Sequence, residues 1–105
     1  DPVSQHACRS NAALNSVEFK VAGDLLALDR QWADLLIAAD VLYDRENLPW
    51  LDTFKAFAAD VWVADSRVKD FSHPDYYLAK QMQAQTLPDM GEPYEFSHIR
   101  FYRLS

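Results

Sequence analysis

Glycine is nearly missing from this chain, with Gly23 and Gly91 its only two. A loop that cradles phosphate needs several glycines close together, because only they let the backbone turn and approach the ligand so tightly. No such loop can be built from these residues. Cysteine is scarcer still. The single Cys8 excludes an intrachain disulfide and a multi-cysteine zinc site, and it reads as a small helix-packing residue, not a nucleophile. Positive charge is also short. Ten lysines and arginines against sixteen acids leave a net charge of −6, the opposite of what binding a nucleic-acid backbone requires. No apolar run reaches the ~18 residues of a membrane-spanning helix. The chain does not begin with methionine, and no charged leader precedes an apolar stretch. These absences give an expectation of no nucleic acid and no membrane as partners, a cytoplasmic location, and an N-terminus that looks like a cut.

What is present is ordinary globular material: 105 residues, 50% hydrophobic and 25% charged. That is one domain, 1–105, or part of one. Asp1 is a good N-cap and Pro2 suits the first turn of a helix running to about Val17, with Asn15 placed for a left-handed C-terminal residue. Val17 to Ala22 alternates with the period of a strand and is punctuated by Gly23-Asp24. Ala33 to Val41 is almost continuously apolar, which predicts a parallel strand covered on both faces. Asp44 is placed to cap a helix over Arg45 to Ala58, with Leu42, Leu48, Leu51, Phe54, Phe57 and Ala58 inward. Asp60 to Asp65 reads as a second buried strand and Ser66 to His73 as a loop. Pro74 to Gln83 reads as a short helix with Tyr77, Leu78 and Met82 inward, Ala84 to Leu87 as a weak strand, and Asp89 to Pro93 as a turn. Ser97 to Leu104 alternates as a final, antiparallel strand. The layout is α/β.

Chemistry is expected where such sheets bind ligands, outside the carboxyl ends of the strands. Asp40 and Asp65 end the two buried strands, and Asp24 follows a third. Their bland reading is that strand-to-helix loops favour aspartate as a cap and turn former. His6, His73 and His98 have no metal-ligand spacing, and Trp32, Trp50 and Trp62 read as packing residues rather than a cage for a cation, although an amine ligand would favour an aromatic wall such as Trp50.

Leu36-Ile37-Ala38-Ala39-Asp40-Val41-Leu42-Tyr43-Asp44 resembles the segment after strand four of class I, seven-β-strand S-adenosylmethionine-dependent methyltransferases. Its Asp-x-x-Tyr is similar to the signature of the protein lysine methyltransferases, nearest to those acting on the electron-transfer-flavoprotein β subunit and to ribosomal-protein methyltransferases. Other segments resemble the family in the same order: Asp1-Pro2 with Ala7, Asn11-Ala12 and Asn15; Gly23-Asp24-Leu25-Leu26; Val63-Ala64-Asp65 with Arg67; and Arg100 to Leu104. The resemblance implies a Rossmann-like sheet, here incomplete, since the first strand, the glycine-rich loop and most of the second strand are absent. It also implies strand order three-two-one-four-five-seven-six with a final antiparallel strand. It further implies S-adenosylmethionine as cofactor and a protein lysine or small amine as methyl acceptor. Asp40 and Tyr43 would then be the catalytic pair, while Asp24, Leu25 and Ala39 would form the adenine side of the cofactor site. Asp44 remains a helix cap.

Three functions follow. The first is a methyltransferase present as a C-terminal portion, which alone binds S-adenosylmethionine weakly or not at all. The second is a non-catalytic remnant of that fold acting by protein interaction. The third, an unrelated receiver-like module binding a metal, is disfavoured because no adjacent acid pair follows a buried strand. Lacking strand one and nearly all of strand two, the strand Leu35 to Val41 would keep an unpaired edge, which favours a homo-oligomer.

Overall fold

The structure, a computed structural model, describes residues 1–42, 44–68, 71–84, 91 and 97–105. Among the described residues the chain forms an α/β fold with two α-helices and four strands: α1 (Pro2–Leu14), β1 (Ala33–Ala39), α2 (Trp50–Phe54), β2 (Ala58–Asp65), β3 (Tyr76–Gln83) and β4 (His98–Leu104). The strands lie in the order β1-β2-β4-β3. β1 and β2 are parallel, in register from Ala33 beside Ala58 to Ala39 beside Ala64. β4 enters between β2 and β3 and is antiparallel to both. Among the described residues, no helix is long and apolar enough to cross a membrane.

The core lies on one face of this sheet. Val61 and Val63 of β2, Tyr76 of β3 and Tyr102 of β4 meet Leu42, Leu51 and Phe54 from the β1–β2 connection. Phe71 closes one end, its ring edge-on to Tyr102 at 4.8 Å. The Tyr76 hydroxyl donates to the Leu51 carbonyl at 2.7 Å, tying β3 to α2.

The strand expected at Ala33 to Val41 forms but stops at Ala39, and it is covered on one face only: Leu36 and Ala38 face the core, while Ile37 is 70% exposed. The expected helix over Arg45 to Ala58 is much shorter. A 3-10 turn at Arg45–Asn47 precedes α2, and Ala58 already belongs to β2. Pro49 stands between them in helical conformation, at the N-cap of α2.

Two expected elements are wrong. Pro74 to Gln83 is not a helix; Tyr76–Gln83 is β3, with Tyr77, Leu78 and Met82 turned outward. Helix-forming Leu, Ala, Lys, Gln and Met are overridden because β4 offers an unpaired edge along its whole length. A register shift between Leu78 and Lys80 accommodates the irregular alternation. Val17 to Ala22 forms no strand; its apolar residues Val17, Phe19 and Val21 face α1 and pair with no strand among the described residues. The left-handed residue after α1 is Ser16, at φ 55°, and not Asn15. Ala84 lies outside any strand, and the rest of the expected strand Ala84 to Leu87 falls outside the described residues, as does the turn at Asp89 to Pro93 apart from Gly91.

α1 stands apart from the core. Asp1 caps it by accepting from the Val3 amide at 2.9 Å, yet none of its residues is buried. Arg9, Ala12 and Ala13 face Val17, Phe19 and Val21 across an open hollow of about 310 Å³.

Candidate functional site

The parallel pair β1–β2 brings two of the sequence-predicted acids to one edge. At the end of β1 the Asp40 amide donates to the Ala64 carbonyl at 2.9 Å, so the strand stays pinned to β2 one residue past Ala39. Asp40 then takes φ 55°, a left-handed conformation that aspartate tolerates better than most residues. Its carboxylate is exposed, and Oδ1 accepts from the Ser66 hydroxyl at 3.3 Å. A solvent-facing acid held by one hydroxyl can take a charge-assisted hydrogen bond from an amine.

Asp65 has the opposite environment. It is 0% exposed, and Oδ2 accepts from the amides of Arg67 at 3.1 Å and Val68 at 2.7 Å, which folds the turn after β2. Its Oδ1 is buried without a hydrogen-bond partner, a state that costs on the order of 1–3 kcal/mol. Asp65 is thus a turn former whose anchored turn carries Ser66 to Asp40.

Asp24 is exposed and accepts from the Leu26 amide at 2.9 Å, capping a 3-10 turn at Leu25–Ala27. The strand expected before it is absent, and none of its hydrogen bonds reaches Asp40. Leu25 packs against the core, and Ala39 ends β1 exposed. Asp44 is a cap as expected, accepting from the Glu46 amide at 2.9 Å. Tyr43 lies outside the described residues. For a nucleoside cofactor these residues fit only in part: Asp24 and Ala39 offer an acceptor and an open strand end, Leu25 is turned to the core, and neither glycine sits at the end of β1 or β2.

A second polar cluster, which the sequence spacing did not signal, joins α2 to the start of β3. Ligand atoms of Asp52, His73 and Asp75 lie within 4.8 Å of one another. The cluster is already satisfied internally. The Asp75 amide donates to His73 Nδ1 at 3.0 Å, so that nitrogen carries a lone pair and Nε2–H donates to Asp52 at 3.1 Å. A metal on Nε2 would need the opposite tautomer. The Lys55 ammonium sits on Asp75 at 2.5 Å and within 3.5 Å of Asp52, supplying the cation. That contact holds the Asp75 carboxyl below its ordinary range and raises Lys55. On the sheet's open face Arg103 makes two hydrogen bonds to Asp60 and lies 5.0 Å from the Trp62 ring centre, which holds the Asp60 carboxyl low.

No family model, curated protein or solved structure matches the chain.

Proposed function

We propose that the chain is a portion of a class I S-adenosylmethionine-dependent methyltransferase acting on a protein lysine or a small amine. One observation carries the reading. The order β1-β2-β4-β3, with β1 and β2 parallel and β4 antiparallel between its neighbours, has the four-five-seven-six arrangement of the sheet that the sequence resembles. The residues supporting it are those at the end of β1. Asp40, exposed and held by Ser66, receives the substrate ammonium and orients its nitrogen. S-adenosylmethionine supplies the electrophilic methyl group when bound. Asp24 accepts from the adenine amino group, and Ala39 leaves room beside the strand end. The Rossmann-like identity of the sheet belongs to this same proposal.

Nuclear magnetic resonance tests it. Adenosine at millimolar concentration is expected to shift the amides of Gly23 to Leu25 and of Ala39 and Asp40, with Asp40→Asn leaving the fold unchanged. Shifts scattered elsewhere, or none, would remove the reading. S-adenosylmethionine itself is expected to bind weakly or not at all, since the hydrogen bonds of a glycine-rich loop, each worth about 1 kcal/mol, are absent. Calorimetry giving a micromolar dissociation constant would contradict that expectation.

A second reading, a non-catalytic module of the same sheet that works by binding protein, is favoured by the exposed apolar residues along β1.

A further inference from the structure

Two parts of this molecule lack a partner, and they fit each other. β1 is an edge strand with nothing paired to its outer side among the described residues. Leu35 and Ile37 on its open face are 45% and 70% exposed. Its edge carries no lysine or proline, the usual blocks against pairing. Val17 to Val21 has a strand's alternation and no strand to join, and Val17 and Phe19 are about half exposed.

Charge selects one register between them. Antiparallel pairing of Phe19 with Leu35 sets Val17 beside Ile37, Val21 beside Ala33 and Lys20 beside Asp34. The apolar side chains then share one face, and the opposite charges meet. A parallel arrangement with the same Phe19–Leu35 pair sets Glu18 beside Asp34, which is repulsive. The segment cannot simply swing onto its own β1 while the contacts around it stand. The Val17 amide is bonded to the Ala12 carbonyl, Leu25 packs on the core, and the Gln31 amide is bonded to the Ala56 carbonyl. A second molecule has no such tether. It can present α1 and residues 17–21 as one unit, placing α1, which buries nothing of its own, over the open face beside Ile37.

We propose that two copies of this chain form a symmetric dimer in which residues 17–21 of each molecule add to the β1 edge of the other. Each copy donates one segment and accepts one, so the exchange is complete at two molecules.

Sedimentation equilibrium and paired cysteine cross-linking test this on the 105-residue chain. The expected mass is twice 12.1 kDa. Lys20→Asp should weaken the dimer by about tenfold, because it sets like charges opposite each other at two symmetric sites. Asp34→Lys in the same molecule should restore it. Ile37→Lys should abolish it. All three positions are exposed, so circular dichroism of each variant should be unchanged. With Cys8→Ser in both, Phe19→Cys molecules mixed with Leu35→Cys molecules should cross-link between copies. A monomer at every concentration would overturn the proposal. So would a dimer indifferent to Lys20→Asp and Ile37→Lys, or failure of mixed cysteine variants to cross-link.

Discussion

Leu14 and Leu51 are the same side chain on two helices of one small molecule, yet Leu14 is 82% exposed and Leu51 1%. The contrast extends to the regions around them. Every buried described residue lies at Leu42 or beyond, while Val3, Val17, Phe19, Leu26 and Trp32 are exposed. α1 has an aspartate cap and a proline in its first turn, whereas α2 is a single short turn with no side-chain cap bond. The better-signalled helix is the one that buries nothing. Local signals determine whether a helix starts and stops, but burial depends on an opposing surface. β2, β3 and β4 supply that surface to α2, and nothing described supplies it to α1.

The largest expected effect sharpens this difference. Leu51→Ala should cost about 2–5 kcal/mol in urea unfolding, through lost burial and a cavity. Leu14→Ala should stay within about 0.5 kcal/mol. Similar losses at both positions would mean that the two regions are equally well packed, and the comparison would fail.

Tyr76 comes next, as the residue linking β3 to α2. Burial, with Asp52 and Asp75 nearby, pushes its phenol up from 10.0 to about 12. The fold favours the neutral phenol. Its contribution is therefore complete below pH 10 and is lost as pH rises towards 12, a difference of roughly 2–3 kcal/mol. Tyr76→Phe should remove that alkaline step from the stability profile. At neutral pH it should cost about 1–2 kcal/mol for the hydrogen bond to Leu51.

At the acid end, Asp60 and Asp75 are held below 3.8 by their bonds to Arg103 and Lys55. Depressed carboxyls stabilise above their unfolded value, and the gain disappears as pH falls through the folded one. Unfolding midpoints followed downward from neutral pH should fall below about pH 4. Asp60→Asn with Asp75→Asn should flatten that fall. An unchanged acid limb in the double variant would place the acid sensitivity elsewhere.

The smallest effect belongs to α1. Asp1→Ala removes the cap bond to Val3, worth about 0.5–2 kcal/mol to the helix alone. Far-ultraviolet circular dichroism should lose helix signal while the urea midpoint stays fixed. A shifted midpoint would show α1 coupled to the core after all.

Much of the candidate site was legible because strand ends and caps are written locally. Asp40 and Asp65 follow apolar runs, and Asp24 and Asp44 precede amides that need an acceptor. The same signals could not tell the exposed Asp40 from the buried Asp65. That depends on the turn that follows, which brings the Arg67 and Val68 amides back onto Asp65 and leaves Asp40 with one hydroxyl. Nor did the chain order announce the Asp52–Lys55–His73–Asp75 cluster, whose members meet only because β3 starts beside α2.

The apolar runs that become β1 and β2, the alternation of β4, and the caps at Asp1, Asp24 and Asp44 are written in consecutive residues. Each of these is a preference of a few consecutive residues, expressed wherever the segment lies. Tertiary structure alone decided that Tyr76–Gln83 is a strand and that Val17 to Ala22 is not. A strand is completed by hydrogen bonds to another segment. Tyr76–Gln83 finds the open edge of β4, while Val17 to Val21 faces the side of α1 and meets no strand among the described residues.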